Sequence, residues 1–319
     1  MSQPLIQTVN LKKYFNTPRG MLHAVDDVNL TINRGQTLGV VGESGCGKST
    51  LGRVLLRLLD ATSGQILYNG EDILKYNKAQ VKKMRAEMQM IFQDPYASLN
   101  PRMTVSEIIA EPIRIMKTIT DPTEINKKVF SLMNTVGLAG RLVNAYPHEL
   151  DGGRRQRIGM ARALAVDPKF IVCDEPVSAL DVSIQAQILN LLMDLQRDMG
   201  LTYMFITHDL SVVRHISDRV IVMYLGSIVE SGKTKDVFDA PHHPYTDVLM
   251  HASPSLDMDT RTDESVIEGD PPSPINIPAG CCFHPRCKYC QEKCKTVKPE
   301  LTTLPDGRQI ACHYPLNMK

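Results

Sequence analysis

Apolar and polar residues alternate along the first part of the chain. The alternation at 5–9 and at 24–32 predicts two strands, and turn residues at 16–20 favour their pairing in an antiparallel layer. Residues 36–41 form a short, nearly continuous apolar run that ends at Gly42. A run of this kind predicts a strand that is buried on both faces of a sheet.

The middle of the chain has a helical pattern instead. Between about 96 and 165, apolar residues recur at helical spacing at 105–116 and 124–136, with little strand character. Pro112 and Pro122 are expected to break these patterns, because proline lacks the backbone N–H that a helix interior needs. The sequence therefore predicts an inserted helical subdomain.

Strand-like and helical patterns alternate in the rest of the chain. Further strands are predicted at 64–69, 170–173, 203–207 and 219–223. Helices are predicted at 51–59 and 184–199, with a shorter one after Asp209. This alternation is typical of an α/β fold with a mainly parallel sheet.

The C-terminal part changes in composition. Residues 252–280 are polar and hold four prolines between 271 and 278, which predicts an extended linker. Six of the eight cysteines then lie within 281–312. We therefore predict a main domain over 1–250 and a proline-rich linker with a cysteine-rich extension over 251–319.

Composition and charge narrow the class of protein. Lys and Arg number 36 against 35 Asp and Glu, so bulk charge gives no basis for a nucleic-acid or anionic-membrane surface. With no Trp and seven Phe, a stacking platform for single-stranded nucleic acid is not expected. No apolar run approaches the roughly 18 residues of a membrane-spanning helix, and residues 1–10 lack a signal-peptide pattern, so we expect a cytosolic chain.

The first chemical motif lies between the predicted buried strand and the helix after it. Residues 42–50 match the phosphate-binding P-loop, in which glycines let backbone N–H groups turn toward phosphate oxygens. Lys48 would neutralise β- and γ-phosphate charge, and the Ser49 hydroxyl would bind Mg²⁺. The loop residues expected to contact nucleotide are Gly42, Ser44, Gly45, Cys46, Gly47, Lys48, Ser49 and Thr50.

The second motif is an apolar strand that ends in two acids. Asp174 follows the run at 170–173, where its carboxylate can hold Mg²⁺, and the adjacent Glu175 can polarise water. Acids after an apolar strand also serve as helix caps, so this motif alone does not indicate a Mg²⁺ site. The presence of the P-loop in the same chain favours that interpretation. Together the two motifs predict hydrolysis of a nucleoside triphosphate.

Four further motifs occur in the order of a known family. Gln93 in the sequence Phe-Gln-Asp-Pro resembles the Q-loop, residues 150–156 the signature motif, 178–181 the D-loop, and His208 the switch histidine. On these motifs, residues 1 to about 250 resemble the nucleotide-binding subunit of an ATP-binding cassette (ABC) transporter. The resemblance implies an α/β P-loop NTPase core of the RecA-like type, with an N-terminal antiparallel β-layer, an inserted helical subdomain and a small cysteine-rich C-terminal extension.

The resemblance also implies a role for each motif residue. Glu175 would be the general base, and His208 would bridge the γ-phosphate and the catalytic water. The implied catalytic residues are Lys48, Gln93, Glu175 and His208, and the implied Mg²⁺ ligands are Ser49, Gln93 and Asp174. The other implied nucleotide contacts are Phe15, Asp151, Gly152, Gly153 and Asp181.

Adenine recognition is less sharply defined. In the family an aromatic side chain near the N-terminus stacks on the base, and Tyr14 or Phe15 occupies that place. Both rings could instead pack into the small β-layer. We favour Phe15 as the stacking residue.

The signature motif departs from the family's usual Leu-Ser-Gly-Gly-Gln. This chain has Asp151 at the serine position and Arg154 at the glutamine position. In the family the signature loop contacts the γ-phosphate of ATP held by the other subunit, and a carboxylate there costs roughly 4 kcal/mol per charge pair at 4 Å and an effective dielectric near 20. Two readings stay open: a weakened composite site, or one in which Arg154 and Arg155 offset the repulsion. Because Lys48, Asp174, Glu175 and His208 are all present, the site on this chain's own P-loop is expected to work if a partner supplies an unaltered signature, which favours a heterodimer of ATPases.

The cysteine-rich tail resembles the C-terminal extension of the oligopeptide, dipeptide and nickel importer ATPases. Cys281, Cys287, Cys294 and Cys312 lie at the extension's characteristic positions, and Cys282 and Cys290 are additional. Four thiolates suit a [4Fe–4S] cluster or tetrahedral Zn²⁺. The spacings are not the paired CxxC of zinc ribbons, so we favour iron–sulfur, and reduced cysteines without metal are the remaining alternative. The histidines at 242, 243 and 284 are interpreted as surface or structural residues.

The resemblance implies a function. We expect MgATP hydrolysis on the cytoplasmic face of a membrane, driving import of oligopeptides or dipeptides. The implied partners are a second ABC ATPase, two transmembrane permease subunits reached through the Gln93 region, and, indirectly, an extracytoplasmic solute-binding protein. No nucleic-acid partner is expected. The alternatives are import of nickel or another small solute, a soluble ABC ATPase acting on nucleic acid or ribosomes, and a metal-sensing subunit with little turnover.

Overall fold

The computed structural model describes residues 4–252 and 269–317. Contacts within the chain group these residues into two units. The first comprises 33–35 and 75–205; the second comprises 4–32, 36–74 and the described residues from 206 onward. The predicted division at residue 250 stays a prediction. The predicted linker at 252–280 lies partly outside the described residues, and its described part, 269–280, is irregular.

The described ranges contain strands and helices in alternation. The strands are β1 Pro4–Thr17, β2 Gly20–Asn33, β3 Thr37–Val41, β4 Ser63–Tyr68, β5 Glu71–Asp72, β6 Met88–Ile91, β7 Phe170–Asp174, β8 Thr202–Ile206, β9 Arg219–Tyr224, β10 Ser227–Lys233, β11 Thr302–Thr303 and β12 Gln309–Ile310. The α-helices are α1 Lys48–Leu55, α2 Lys78–Glu87, α3 Pro95–Ser98, α4 Val105–Met116, α5 Pro122–Thr135, α6 Gly152–Leu164, α7 Val182–Met199, α8 Leu210–Ile216, α9 Thr234–Asp239, α10 Pro244–Ala252 and α11 Glu292–Thr296.

The second unit contains two layers of strands. A four-stranded sheet has the order β2-β1-β4-β5, in which β4 runs antiparallel to both β1 and β5. The other layer has the order β11-β12-β10-β9-β3, with β3 parallel to β9 and the remaining pairs antiparallel. Every residue of β3 is buried, as its continuous apolar run predicts.

The first unit carries strands β6 and β7, which pair in parallel, beside β8. All five residues of β7 and of β8 are buried. Residues 96–165 are all described and consist of helices and turns without a strand, which confirms the helical subdomain. The α/β class, the antiparallel N-terminal layer and the parallel strand pairs are likewise confirmed.

Pro112 does not break its helix, contrary to the sequence prediction. It lies inside α4, which continues to Met116, whereas Pro122 occupies the first turn of α5, where the missing N–H has no consequence. The amphipathic burial of α4 outweighs the lost hydrogen bond, since Ile108, Ile109 and Ile113 are all buried. Of the helices in residues 4–252 and 269–317, none is long and apolar enough to cross a membrane.

Candidate functional site

The P-loop lies between β3 and α1. Gly42 has φ +147 and Gly47 has φ +106, a left-handed region that side chains rarely adopt. A Cβ atom on Gly42 would meet the Met223 carbonyl oxygen at 2.2 Å, and one on Gly47 would meet that of Ala24 at 2.0 Å. The backbone therefore approaches β9 and β2 so closely that only glycine fits, and the loop is held in a defined shape.

Lys48, the first residue of α1, is buried with its ammonium group over the loop. Its Nζ donates to the Gly42 carbonyl at 2.7 Å and to the Glu43 carbonyl at 2.9 Å. These bonds stabilise the charge of the ammonium inside the curve of the loop. Cys46 is also buried, and its burial raises the pKa of the thiol. The predicted phosphate-binding residues thus form one continuous turn around Lys48.

Glu43, inside the P-loop, was not singled out from the sequence. Its N–H donates to the Tyr245 hydroxyl at 2.8 Å, and its carboxylate accepts two hydrogen bonds from Arg286, at 2.9 and 3.0 Å. The partners are 202 and 243 residues away in the chain. No local pattern signals contacts over such separations.

Asp174 and Glu175 lie at the carboxyl end of β7. Asp174 is 1% exposed, and Glu175 adopts a left-handed backbone with φ +47. The Glu175 carboxylate accepts a hydrogen bond of 2.9 Å from Gln93 Nε2, where Gln93 follows β6. The predicted general base and the predicted Q-loop residue are therefore brought into contact in the first unit.

The signature residues lie at the start of α6. Asp151 is the N-cap, and its carboxylate accepts from the Arg154 N–H at 2.8 Å. The Arg154 guanidinium also pairs with this carboxylate at 3.4 Å. A Cβ atom on Gly153 would lie 2.7 Å from Ile184, so glycine permits the close approach to α7. Asp151 therefore caps the N-terminus of α6.

Two predicted residues cap or follow secondary structure. Asp181 is the N-cap of α7 and accepts from the Ile184 N–H at 2.9 Å. His208 is exposed two residues after the end of β8. These positions are the ends of elements, from which a side chain can reach a ligand. The catalytic roles of both residues stay predictions.

Tyr14 and Phe15 differ in their surroundings. The Tyr14 hydroxyl donates to Asp26, and its ring stacks on His23 at 4.1 Å between centroids. Burial and the Asp26 carboxylate raise the pKa of Tyr14. Phe15 is half-buried, with Lys13 Nζ 4.8 Å from the ring centroid. Because Tyr14 is engaged within the β-layer, Phe15 stays the better candidate for the adenine contact.

The four tail cysteines predicted to act together line one small cavity, and all four lie in the second unit. They are Cys281, Cys287, Cys294 and Cys312. None of the eight cysteines forms a disulfide. Burial raises the pKa of Cys287 to about 12 and that of Cys312 to about 11, so both thiols are protonated near neutral pH. The described residues contain no group of three or more His, Cys, Asp or Glu arranged to hold a metal ion.

The neighbouring histidines serve the fold. His242 and His243 are buried, and the backbone N–H of each donates to the Glu230 carboxylate at 2.9 Å. Because both side chains are buried, the surface interpretation is wrong for these two residues. The structural interpretation is confirmed for His243, whose Nδ1 accepts from the Tyr245 N–H at 3.0 Å. His284 is half-buried beside the cysteine cavity.

Comparison with known proteins decides the family. Residues 25–178 match the family described as ABC transporter, and residues 229–294 match the family described as oligopeptide/dipeptide transporter, C-terminal region. The oligopeptide transport ATP-binding protein OppF of Haemophilus influenzae is 52% identical over 305 residues, which cover 95% of this chain and 92% of that protein. The chain belongs to the ABC transporter ATP-binding proteins.

A second relative supports this membership. The dipeptide transport ATP-binding protein DppF of Haemophilus influenzae is 47% identical over 317 residues, 98% of this chain and 97% of that protein. Among solved structures, the ATP-binding cassette MJ0796, a dimer bound to ADP and Pi, superposes with a TM-score of 0.66 and 28% identity, covering 72% of this chain and 98% of that one. As a member of this ABC family, the chain is an ATPase that uses ATP and Mg²⁺.

Proposed function

We propose that this ATPase is the energy-supplying subunit of a membrane importer of oligopeptides or dipeptides. The observation that carries the proposal is the presence of two parts in one chain. One is a set of ATPase motifs with an altered signature, and the other is a C-terminal region matched to oligopeptide/dipeptide transporters over 229–294. The relatives OppF and DppF are named as oligopeptide and dipeptide transport ATP-binding proteins. Import of nickel or another small solute is the alternative cargo.

In the proposed reaction, the motif residues divide the binding and chemical tasks. Lys48 neutralises phosphate charge, Glu175 takes a proton from the attacking water, and Gln93 orients Glu175 through their hydrogen bond. His208 donates to the γ-phosphate as charge develops. Ser49, Gln93 and Asp174 would hold Mg²⁺, which supplies charge neutralisation at the β- and γ-phosphate oxygens.

The proposed assembly contains a second, different ABC ATPase. Asp151 places a carboxylate in the loop that, in this family, faces the partner's ATP. The Asp151 carboxylate accepts a hydrogen bond from the Arg154 backbone N–H and forms an ion pair with the Arg154 guanidinium. Both contacts support compensation of the carboxylate charge within the loop, although the exposed ion pair contributes little. Because Lys48, Glu175 and His208 are present, this chain's own P-loop would be fully active opposite an unaltered signature.

The other proposed partners are two transmembrane permeases, with an extracytoplasmic solute-binding protein acting through them. The chain would lie on the cytoplasmic face of the membrane, attached to the permeases through the Gln93 region. Exposed Tyr96, close to Gln93 in sequence, supports a contact surface there.

The tail would hold a [4Fe–4S] cluster, with Zn²⁺ as the alternative metal. Support comes from the residue types, because four cysteines are among the residues that line one cavity in one unit. Cys281, Cys287, Cys294 and Cys312 would be the ligands, and the group would order a segment with little apolar sequence. Iron and acid-labile sulfide analysis of protein purified without oxygen tests this, and zinc in place of iron would support the alternative.

The proposed function is tested by purifying a tagged chain at native expression level from gently solubilised membranes. Two transmembrane subunits and a second ATPase should co-purify, and the complex in vesicles should import labelled peptide with ATP. The Glu175→Gln complex is the control without hydrolysis. Recovery as a soluble homodimer without membrane partners would overturn the transporter assignment, and ATP-driven import of nickel instead of peptide would overturn the cargo.

A further inference from the structure

Glu43 is the point where the C-terminal extension meets the P-loop. Both lie in the second unit, and the contact is a two-pronged ion pair between Glu43 and Arg286 at 2.9 and 3.0 Å. The Arg286 side chain is 6% exposed, and that of Glu43 is 23% exposed. Paired hydrogen bonds from one guanidinium to one carboxylate fix orientation as well as distance. Glu43 is therefore held in both position and direction by the extension.

A packed group of aromatic side chains supports this ion pair. The Arg286 guanidinium also donates to the Tyr224 hydroxyl at 3.3 Å. Tyr224 and Tyr245 lie 4.7 Å apart, and each lies 5.3 Å from Phe283, measured between ring centroids. All three rings are buried, so they cannot move without disturbing one another.

The same core joins the strand before the P-loop to the cysteine segment. Val41, the last residue of β3, belongs to one buried cluster with Tyr245, Phe283, Cys281 and Cys294. Arg286 ends a short 3₁₀ turn at 284–286 and is followed by Cys287, which lines the cysteine cavity. The position of the guanidinium is thus set by how the cysteine segment is folded.

Glu43 also links these contacts to the phosphate-binding lysine. Its carbonyl accepts from Lys48 Nζ, and its N–H donates to the Tyr245 hydroxyl. Three groups of Glu43 therefore form hydrogen bonds: the carbonyl bonds to Lys48, and the N–H and the carboxylate bond to chain segments beyond residue 240. A loop that presents N–H groups to phosphate must be held in shape before the nucleotide arrives, or part of the binding free energy is lost in ordering it.

We propose that Arg286 and Tyr245 are positioning residues of the ATPase, which hold the P-loop in its nucleotide-binding shape through Glu43. The C-terminal extension is then a working part of the nucleotide site. The inference rests on ATP binding by this P-loop and is independent of the cargo.

A second tie between the extension and the nucleotide-binding elements agrees with this role. Lys298 Nζ pairs with Asp26 at 2.9 Å, and Asp26 accepts from the Tyr14 hydroxyl beside Phe15. In addition, the His23 N–H donates to the Pro274 carbonyl at 3.1 Å. The extension thus contacts the strands that carry the proposed adenine-stacking residue as well as the loop that carries Lys48.

The test measures binding of a fluorescent ATP analogue to the full-length chain. Arg286→Met and Glu43→Gln should each raise the dissociation constant about tenfold. The double variant should be no worse than the weaker-binding single, because both remove one interaction. In the assembled ATPase, KM for ATP should rise by a similar factor, with kcat at saturating ATP changed less than about threefold.

Arg308→Met is the matched control. Arg308 is a second poorly exposed arginine of the extension, and its hydrogen bonds go to Asp306 and to the Asp236 and Ala240 carbonyls. This variant should lower the melting temperature without weakening nucleotide binding. If Arg286→Met does not fold, Arg286→Lys and Tyr245→Phe replace it, since each keeps most of the packing and removes one hydrogen-bond pattern.

Two outcomes overturn the inference. One is wild-type nucleotide affinity in folded Arg286 and Glu43 variants, and the other is fully additive losses in the double variant. Failure of the wild-type chain itself to bind the analogue would instead contradict the proposed function, so the two failures are distinguishable.

Discussion

Gln93 Nε2 donates a 2.9 Å hydrogen bond to the Glu175 carboxylate. The amide thereby orients the carboxylate of the proposed general base. We expect Glu175→Gln to retain ATP binding and to lower turnover at least 100-fold, because a general base contributes about 10²- to 10⁴-fold. Steady-state phosphate release by the assembled complex, together with nucleotide binding, checks this. Turnover within tenfold of wild type would assign the proton to another group.

The backbone conformation of Glu175 is energetically unfavourable, and the proposed role of its side chain as general base explains why it is kept. Its φ of +47 is unfavourable for a residue with a Cβ atom, by about 1–2 kcal/mol. Glu175→Gly should therefore be about 1 kcal/mol more stable than Glu175→Ala, while both lack turnover. Urea unfolding of the two variants gives the difference directly. Equal stabilities would show that the surrounding residues impose the conformation without strain.

Asp151 contributes to stability as a helix cap. Asp151→Ala should reduce the free energy of unfolding by about 1 kcal/mol, since the Arg154 N–H loses its acceptor. Asp151→Ser keeps an acceptor and should change stability by less than about 0.5 kcal/mol. Urea unfolding of both variants measures this. A serine variant as unstable as the alanine variant would mean that the carboxylate charge is what stabilises α6.

Pro112 weakens the helix in which it lies. Pro112→Ala should raise the free energy of unfolding by about 1 kcal/mol or more, because the residue at 112 regains its bond to the Ile108 carbonyl. Pro122→Ala is the control, since Pro122 occupies the first turn of α5, where alanine gains no hydrogen bond. Thermal unfolding compares the pair. Loss of stability in Pro112→Ala would indicate that the ring packs too well to be replaced.

His243 makes the fold sensitive to acid. Burial lowers its pKa to about 3, below the usual value near 6.5, so the unfolded chain takes up a proton that the folded chain does not. The free energy of unfolding therefore falls as pH drops below 6.5, and this effect of His243 amounts to about 2 kcal/mol between pH 7 and pH 5.

The control is His243→Asn, which keeps an acceptor near the position of His243 Nδ1 for the Tyr245 N–H. Its stability should fall less between pH 7 and pH 5, by about 2 kcal/mol relative to wild type. Urea unfolding at the two pH values measures both slopes. Parallel slopes would place the acid sensitivity elsewhere, for example in the carboxylates.

The sequence predicted the elements whose residues follow a strong local rule. The apolar runs of β3 and β7 and the glycine pattern of the P-loop each depend on neighbours within a few residues. Strand β10 was missed because its Glu230 looks exposed in sequence. In the structure that carboxylate is buried and accepts the N–H groups of His242 and His243.

The candidate site was likewise predictable where its residues belong to local sequence motifs. Gln93 and Glu175 were each predicted as site residues because each belongs to a motif of known order, but their mutual hydrogen bond across 82 residues was not. Tyr245 and Arg286 belong to no motif that faces the P-loop, and their contacts arise from tertiary packing. Residue types alone could not distinguish Arg286 from Arg308, since only the fold decides which one meets Glu43.

Glu43 is held by Tyr245 and Arg286, which lie 202 and 243 positions downstream of it. This separation has a consequence for the synthesis of the chain. At roughly 5–20 residues per second, translation of the segment from Glu43 to Arg286 takes about 10–50 s. Throughout that interval the nascent chain contains the glycine loop but lacks the guanidinium that fixes it, and for most of the interval it also lacks the Tyr245 hydroxyl. Competence for nucleotide would therefore be acquired only after Arg286 has been synthesised, which limits ATP binding by chains that have not reached that residue.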